Sequence, residues 1–285
     1  AGPFVIGVDV GTGSVRSGVF TLSGRNLGHA SVPLEEWTPR EGLYEQSSQQ
    51  VWDACGAAVK KSLAAAGVQG HSVVGIGFDA TCSLVLLGKD DEPVTVSESG
   101  EDRRNIIEWR DHRAQDQARR INAGDFTALK YVGGAISPEQ QPPKLMWLKE
   151  NLPSAWSRAR LALDLADFMV YMACGRDVRS ECTTGCKWAY LTHEGRWDRE
   201  LYDSMGVGDA LDRGLCGSNI APLGTKAGAL TPGAAEHLGL SESCSVGVGV
   251  IDAHAGAIGL GAGAGTLALI TGTSSCHMLC SEQAV

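Results

Sequence analysis

A short loop sequence occurs twice in the chain, near its beginning and near its end, each time directly after a strand-like run. The runs FVIGVDV and TLALI are apolar and rich in β-branched residues, and each leads into Gly-Thr-x-Ser, first at Gly11 and again at Gly272. Glycines allow a tight turn between strands, and the N–H groups and hydroxyls of such a turn can bind phosphate oxygens. One copy alone would be read as a glycine-rich hairpin. Two copies predict a duplicated domain with two phosphate loops.

Neither loop carries a common nucleotide-binding motif. There is no Gly-Lys-Ser/Thr, as in a Walker loop, and no third glycine opens a helix, as in a dinucleotide-binding fingerprint. The second copy starts only a short distance before Val285, so it is too short to bury a core of its own. We therefore expect one full domain over residues 1–263 and the start of a second over 264–285, with the chain a fragment of a longer protein.

The composition is globular and argues against several classes of function. Of the 285 residues, 43% are hydrophobic and 20% charged. A net charge of −9 and the lack of a basic run argue against nucleic-acid binding, and no apolar run of about 18 residues predicts a membrane span. The nine cysteines are scattered through apolar segments, which favours reduced thiols and a cytoplasmic location. The sequence leaves open whether two copies form a homodimer.

The apolar periodicity predicts a mixed α/β fold. Strands are expected at 4–10, 14–22, 73–78 and 246–251, with a further hairpin of 84–87 and 93–96. Helices are expected at 46–66 (ended by Gly67), 109–123, 143–151 and 161–174, with a short helix opened by Thr231-Pro232.

Asp252 is the candidate general base. It follows a buried strand and precedes Ala253-His254-Ala255-Gly256, whose small residues would let a substrate approach the carboxylate. A helix N-cap is an equally good local interpretation of Asp252. His254 fits a hydrogen-bonded packing residue better than a proton relay.

Polar and aromatic residues elsewhere suit a sugar. Asp79 and Ala80 end a strand, where open α/β sheets place ligands. Trp109 could cover the apolar face of a sugar, with Asp111 or Arg113 bonding to hydroxyls. Ion pairs on a solvated helix face are the alternative, and they are the better interpretation for Arg110 and His112. Lys187 lies among cysteines and aromatic residues, which favours binding an anion or a carbonyl oxygen.

Together these segments resemble the FGGY carbohydrate kinases, and within them the ribulokinase-like branch. The resemblance extends over nearly the whole chain and is carried by the motifs GVDVGTGSVR, GFDATCS, WRDHRA, KLMWLKEN, GCKWAY, VIDAHAG and GTSSCHM. It implies the actin-like, ribonuclease H-like fold of sugar kinases, with a mixed β-sheet and flanking helices. This chain would form the N-terminal lobe and the first strands of the C-terminal lobe.

The resemblance also implies the roles of individual residues. Asp9 would hold Mg²⁺ through water, and Asp252 would be the general base. ATP phosphates would face Thr12, Gly13, Ser14 and Arg16, with Gly272 and Thr273 in the opposing loop, while Asp79, Ala80, Trp109, Lys187 and Asp252 would line the sugar pocket.

The activity implied is ATP-dependent phosphorylation of a ketopentose, D-ribulose to D-ribulose 5-phosphate. The alternatives are a kinase of another polyol or pentulose (xylulose, ribitol or glycerol), a non-catalytic sugar-binding form, and an actin-like or chaperone ATPase. The adenosine-binding segment of the family has no counterpart before Val285.

Overall fold

The computed structural model describes residues 2–271 and 275–282. The strands are β1 (Phe4–Val10), β2 (Ser14–Thr21), β3 (Asn26–Pro33), β4 (Glu45–Gln46), β5 (Val73–Ala80), β6 (Leu84–Leu87), β7 (Ile106–Ile107), β8 (Leu161–Asp164), β9 (Arg179–Ser180), β10 (Tyr190–Leu191), β11 (Arg196–Trp197), β12 (Ile220–Ala221), β13 (Lys226–Ala229), β14 (Ser245–Gly247), β15 (Val250–Ile251), β16 (Leu267–Thr271) and β17 (Ser275–Leu279). The α-helices are α1 (Ser48–Ala66), α2 (Gln115–Ile121), α3 (Gln141–Asn151), α4 (Pro153–Arg158), α5 (Leu165–Cys174), α6 (Glu181–Lys187), α7 (Arg199–Ser204), α8 (Gly208–Asp212), α9 (Pro232–Leu238) and α10 (Asp252–Gly259).

The main sheet has seven strands in the order β13-β14-β5-β1-β2-β3, with β15 continuing along β5. The first three strands form an antiparallel meander, whereas β14 and β15 run parallel to β5, and β5 runs parallel to β1. Alternate residues of β1, such as Val8 and Val10, are fully buried. This period of two is what the sequence pattern predicts for a strand with one face on the core.

Helix α1 covers that face. Ser47 accepts a hydrogen bond from the Gln50 N–H at its start, and Gly67 ends it in the left-handed conformation with φ 63°. The sequence placed the start two residues earlier. Gln46 instead belongs to β4, because the Ser47 side chain stops the helix from extending backwards.

Three predicted elements differ from the structure. Residues 161–164 are not helical but form β8, which pairs antiparallel with β6 before α5 begins. Residues 93–96 add only a bridge at Pro93, since β6 already has β7 on one side and β8 on the other. The strand predicted over 246–251 is split into β14 and β15. The chain passes the Ala166 carbonyl at Gly249, where a Cβ would lie only 2.9 Å from that oxygen.

The segment 109–123 is helical only from Gln115. The preceding residues are held by a buried ion pair between Asp111 and Arg113, whose side chains are 0% and 1% exposed. Arg113 also donates to Glu45 of β4 and to the Val96 carbonyl, so long-range hydrogen bonds hold this segment instead of helical ones. The helix opened by Thr231 is confirmed as α9, with the Thr231 hydroxyl accepting from the Ala234 N–H.

Two hydrophobic cores hold these elements together. One joins the main sheet to α1, α5 and α9, and the other joins β6 and β8 to α3, α4, α7 and α8. The mixed α/β architecture predicted from the sequence is confirmed. No helix in the described parts of the chain is long and apolar enough to cross a membrane.

Candidate active site

Three aspartates meet at the carboxyl ends of neighbouring parallel strands. Asp9 of β1 lies opposite Asp79 of β5, and β15 pairs with β5 as far as Ile251, the residue before Asp252. The carboxyl ends of parallel strands share one edge of the sheet, the usual place for a ligand in an open α/β protein. The strand register therefore brings together three residues that the sequence singled out separately.

Burial raises the pKa of all three carboxyl groups above the ordinary value for aspartate. Burial, with the charges of Asp9 and Asp252, raises the pKa of Asp79 to about 8. Burial also raises the pKa of Asp9, against the opposing effect of the Arg16 guanidinium, whose Nη2 lies 2.7 Å from Asp9 Oδ2. At neutral pH Asp79 is mostly protonated, so the cluster carries less negative charge than its three aspartates suggest.

Asp252 is the first residue of α10. The cap position belongs to Ile251, and no side chain caps the helix there, so the interpretation of Asp252 as an N-cap is wrong. Burial raises the pKa of Asp252, although the Ala253 N–H donates to its Oδ1 at 2.7 Å. A carboxylate at a helix N-terminus is stabilised by the helix dipole and keeps a second oxygen for a substrate.

The first glycine loop connects β1 and β2. The Gly11 N–H donates to the Ser14 carbonyl at 3.0 Å, and the Leu34 N–H donates to the Gly13 carbonyl at 3.0 Å. Gly13 is exposed, and a Cβ built there would meet nothing within 4 Å. Backbone hydrogen bonds thus fix the loop on one side, while the space around Gly13 is open on the other, which leaves room for a ligand.

The second glycine loop falls outside the described residues at Gly272 and Thr273. Its flanking strands are described: β16 and β17 pair antiparallel, with Thr271 opposite Ser275. They repeat the antiparallel pairing of β1 and β2, in agreement with the internal repeat.

Trp109 joins the first glycine loop to the segment that follows β5. Its indole N–H donates to Thr12 Oγ1 at 3.0 Å, and its backbone N–H donates to Ser83 Oγ at 3.1 Å. The predicted sugar residue Ala80 is fully buried in the core and lies between Val10 of β1 and Ile251 of β15, so neither its side chain nor its backbone is exposed.

Lys187 ends α6 as a half-buried cation. Burial alone would lower its pKa, but the neighbouring Cys82, Cys186 and Asp164 raise it above the ordinary value. It therefore keeps its charge at neutral pH. A partly desolvated ammonium group is well suited to bind a carbonyl or hydroxyl oxygen.

His254 is hydrogen-bonded, as the sequence predicted. Its Nδ1 lies 2.8 Å from the Sγ of Cys182 on α6. Burial and the charge of Lys187 lower the pKa of His254, so its imidazole is neutral at pH 7. The pair links α6, which carries Lys187, to α10, which carries Asp252.

The structure gives Asp111 and Arg113 a structural role instead of contact with a sugar. They pair with each other in the interior and, through Arg113, with Glu45. Sequence reasoning also missed two buried residues behind the site. Gln46 donates to the Thr12 carbonyl at 2.8 Å, and Lys144 donates to the Glu108 carbonyl at 2.9 Å. The only signal for Lys144 is its position between Pro143 and the apolar run Leu145–Leu148, and the sequence around Gln46 contains no comparable signal.

Asp9 suits a divalent cation shared with a phosphate. Its Oδ1 is buried and accepts no N–H or hydroxyl hydrogen bond among the described residues, while the Asp79 carboxyl lies within hydrogen-bonding reach of the Asp9 side chain. In the described ranges, no three His, Cys, Asp or Glu side chains are grouped closely enough to hold a metal ion by themselves. Mg²⁺ typically binds through one or two carboxylates, waters and substrate phosphates, so the site fits it only in that shared form.

Comparison with known proteins identifies a family. Residues 4–259 match the model of the N-terminal domain of the FGGY family of carbohydrate kinases. A human FGGY carbohydrate kinase domain-containing protein is 42% identical over 300 residues, covering 99% of this chain and 54% of its own length. A D-ribulokinase of Saccharomyces cerevisiae is 36% identical, covering 99% of this chain and 45% of its own. The chain spans about half the length of these curated relatives.

Solved structures agree on the fold. A xylulose kinase from Rhodospirillum rubrum superimposes with a TM-score of 0.82 at 21% identity, covering 99% of this chain and 56% of its own. A ligand-bound xylulose kinase from Lactobacillus acidophilus gives 0.81 at 21% identity, covering 95% and 53%. At such identities the similarity establishes the sugar-kinase fold.

Proposed function

The chain belongs to the FGGY family of carbohydrate kinases, and from this premise we propose that the complete protein transfers the γ-phosphoryl group of ATP to a ketopentose. D-ribulose is the proposed substrate and O5 the acceptor, giving D-ribulose 5-phosphate. The 36% identity to a D-ribulokinase supports the substrate, as do the DAHAG and GTSSCH motifs. We further propose that residues 1–263 form the N-terminal domain and that 264–285 begin the second.

The observation that carries the proposal is the juxtaposition at one sheet edge of Asp252, Trp109 and the open Gly13 loop. Asp252 takes the proton from the sugar hydroxyl as that oxygen attacks phosphorus. The raised pKa of Asp252 makes it a stronger base than an exposed aspartate. Trp109 covers the apolar face of the sugar, while Lys187 binds an oxygen and Asp79 a hydroxyl.

The phosphate side consists of the first loop and Arg16. N–H groups and hydroxyls of Thr12, Gly13 and Ser14 bind the terminal phosphate, and Arg16, 59% exposed, neutralises part of its charge. Asp9 would hold Mg²⁺ through water, and the ion supplies further charge neutralisation when bound. Phosphoryl transfer depends mainly on such positioning and neutralisation.

The test is an ADP-release assay on the complete protein across D-ribulose, L-ribulose, D-xylulose, ribitol and glycerol. D-ribulose should have the highest kcat/KM. A preference for another acceptor would overturn the substrate assignment, and sugar-independent ADP release would overturn the kinase assignment.

Asp252→Asn tests the base. The change should lower kcat at least about 100-fold while the sugar dissociation constant stays within about threefold, because a positioned base acts in the transition state. Asp116→Asn is the matched control, since this carboxylate is 77% exposed on α2. A raised sugar KM with normal kcat would make Asp252 a binding residue instead of the base.

A further inference from the structure

Thr12 is held from the sugar side by two hydrogen bonds. Its side-chain oxygen accepts from the Trp109 indole N–H at 3.0 Å, and its carbonyl accepts from Gln46 Nε2 at 2.8 Å. Gln46 is 1% exposed and comes from the short strand β4. A residue of the phosphate loop is therefore fixed in both backbone and side chain by residues outside that loop.

The direction of the indole bond determines what Thr12 can offer a ligand. An indole N–H can only donate, so Thr12 Oγ1 must be the acceptor in this bond. A threonine hydroxyl has a single proton, and that proton must then point away from Trp109. No acceptor for it is found among the described residues. The hydroxyl is thus left as a donor on the open side of the loop.

Trp109 is itself held in place. Its backbone N–H donates to Ser83 Oγ, and the fully buried Lys144 lies with Nζ 2.9 Å from the Glu108 carbonyl and 3.4 Å from that of Trp109. Ser83 and Thr81 are hydrogen-bonded to each other through their hydroxyls at 3.0 Å. The backbone of Trp109 cannot shift without breaking buried hydrogen bonds, so the position from which its indole N–H reaches Thr12 is fixed.

We propose that Trp109, beyond its place in the sugar pocket, is a positioning residue of the phosphate loop that presents the Thr12 hydroxyl as a donor to the terminal phosphate of the nucleotide. This inference rests on the proposed function. It predicts that replacing Trp109 by a residue without the indole N–H weakens the binding of the nucleotide as well as that of the sugar.

A double-mutant cycle in the complete protein separates this role from general damage. The readouts are dissociation constants from calorimetry, one for a non-hydrolysable ATP analogue with Mg²⁺ and one for the sugar. Thr12→Val, which removes a hydrogen bond to a charged group, should weaken the nucleotide about 10- to 150-fold, and Trp109→Phe should weaken it about 3- to 10-fold. Thr12→Ser keeps the hydroxyl and should stay within about threefold of wild type.

The decisive comparison is Trp109→Phe in the Thr12→Val background. There it should change nucleotide affinity by less than about twofold, because the hydroxyl that it orients is gone, while its effect on sugar affinity stays the same in both backgrounds. Equal weakening in both backgrounds would overturn the inference, as would unchanged nucleotide affinity in Trp109→Phe. If that variant fails to fold, Trp109→Tyr, which also lacks the indole N–H, takes its place in the cycle.

The failure of the proposed function would look different. A wild-type protein that binds the nucleotide analogue but phosphorylates nothing on the substrate panel would refute the kinase assignment and leave the cycle interpretable. A wild-type protein that does not bind the analogue would refute the inference itself.

Discussion

Arg113 offers the sharpest test of the structure, because the sequence alone assigned it to the sugar pocket or to a solvated helix. In the fold its guanidinium is 1% exposed. It donates to both carboxylate oxygens of Asp111 at 2.9 and 2.8 Å, to Glu45 at 3.1 Å and to the Val96 carbonyl at 2.6 Å. It also lies 4.9 Å from the ring centroid of Trp147.

The cost of removing Arg113 follows from these contacts. Arg113→Met keeps most of the side-chain volume but leaves the Asp111 carboxylate buried without its cation, which costs about 3–5 kcal/mol of unfolding free energy. With an unfolding entropy of about 2.1 cal/mol/K per residue, a chain of this length should lose roughly 5–8 °C in Tm. Adding Asp111→Asn removes the uncompensated charge, so the double variant should lose about 1–3 kcal/mol less than the sum of the two single changes.

The measurement is urea and thermal unfolding followed by circular dichroism. Arg119→Met is the matched control, because Arg119 pairs with Asp116 at the surface, where both side chains are over 70% exposed. Such a pair is worth less than about 1 kcal/mol. A loss below about 1 kcal/mol in Arg113→Met would refute the buried network. A stable variant with weakened sugar binding would restore the interpretation made from the sequence.

Two further predictions concern stability. The pKa of Asp167 is raised to about 7 by burial and by Asp164, against the effects of Arg179 and of hydrogen bonds from Thr183 and Ser180. This folded-state pKa exceeds the ordinary value of about 3.9, so the folded protein binds the proton more tightly than the unfolded chain does. The free energy of unfolding of wild type, relative to that of Asp167→Asn, should therefore rise by about 1.4 kcal/mol per pH unit as pH falls from 7 towards 4. No such rise in urea titrations would contradict the burial of Asp167. Gly249→Ala should lower the free energy of unfolding by about 1–3 kcal/mol, because the new Cβ would lie 2.9 Å from the Ala166 carbonyl oxygen. Gly13→Ala places its Cβ in open space, so it should leave Tm within about 2 °C and weaken only nucleotide binding. Equal loss of Tm in both variants would show that the loop around Gly13 is packed instead of open.

Local patterns in the sequence were sufficient to predict much of the fold. The meander of β1 and β2, the amphipathic helix α1 and the Thr231-Pro232 start of α9 are each encoded within a few residues, through period, cap and glycine stop. Residues 109–114 belong to the helix of 109–123 that the sequence pattern predicts, but they are not helical. Their real partners, Glu45 and Val96, are distant in sequence, so no local pattern could reveal that the charges are buried.

The same distinction applies to the candidate site. Asp9, Asp79 and Asp252 could each be found as a carboxylate at a strand end, but their proximity depends on the pairing of β1 and β15 with β5, which only the fold specifies. Three carboxyl groups at one buried sheet edge do not stabilise the fold, because the charge of each makes the others harder to ionise. Arg16 offsets that cost at Asp9, and protonation offsets it at Asp79. Such a local conflict with stability is typical of places where proteins bind and transform ligands, so burial and strand register support this candidate site more strongly than any single motif does.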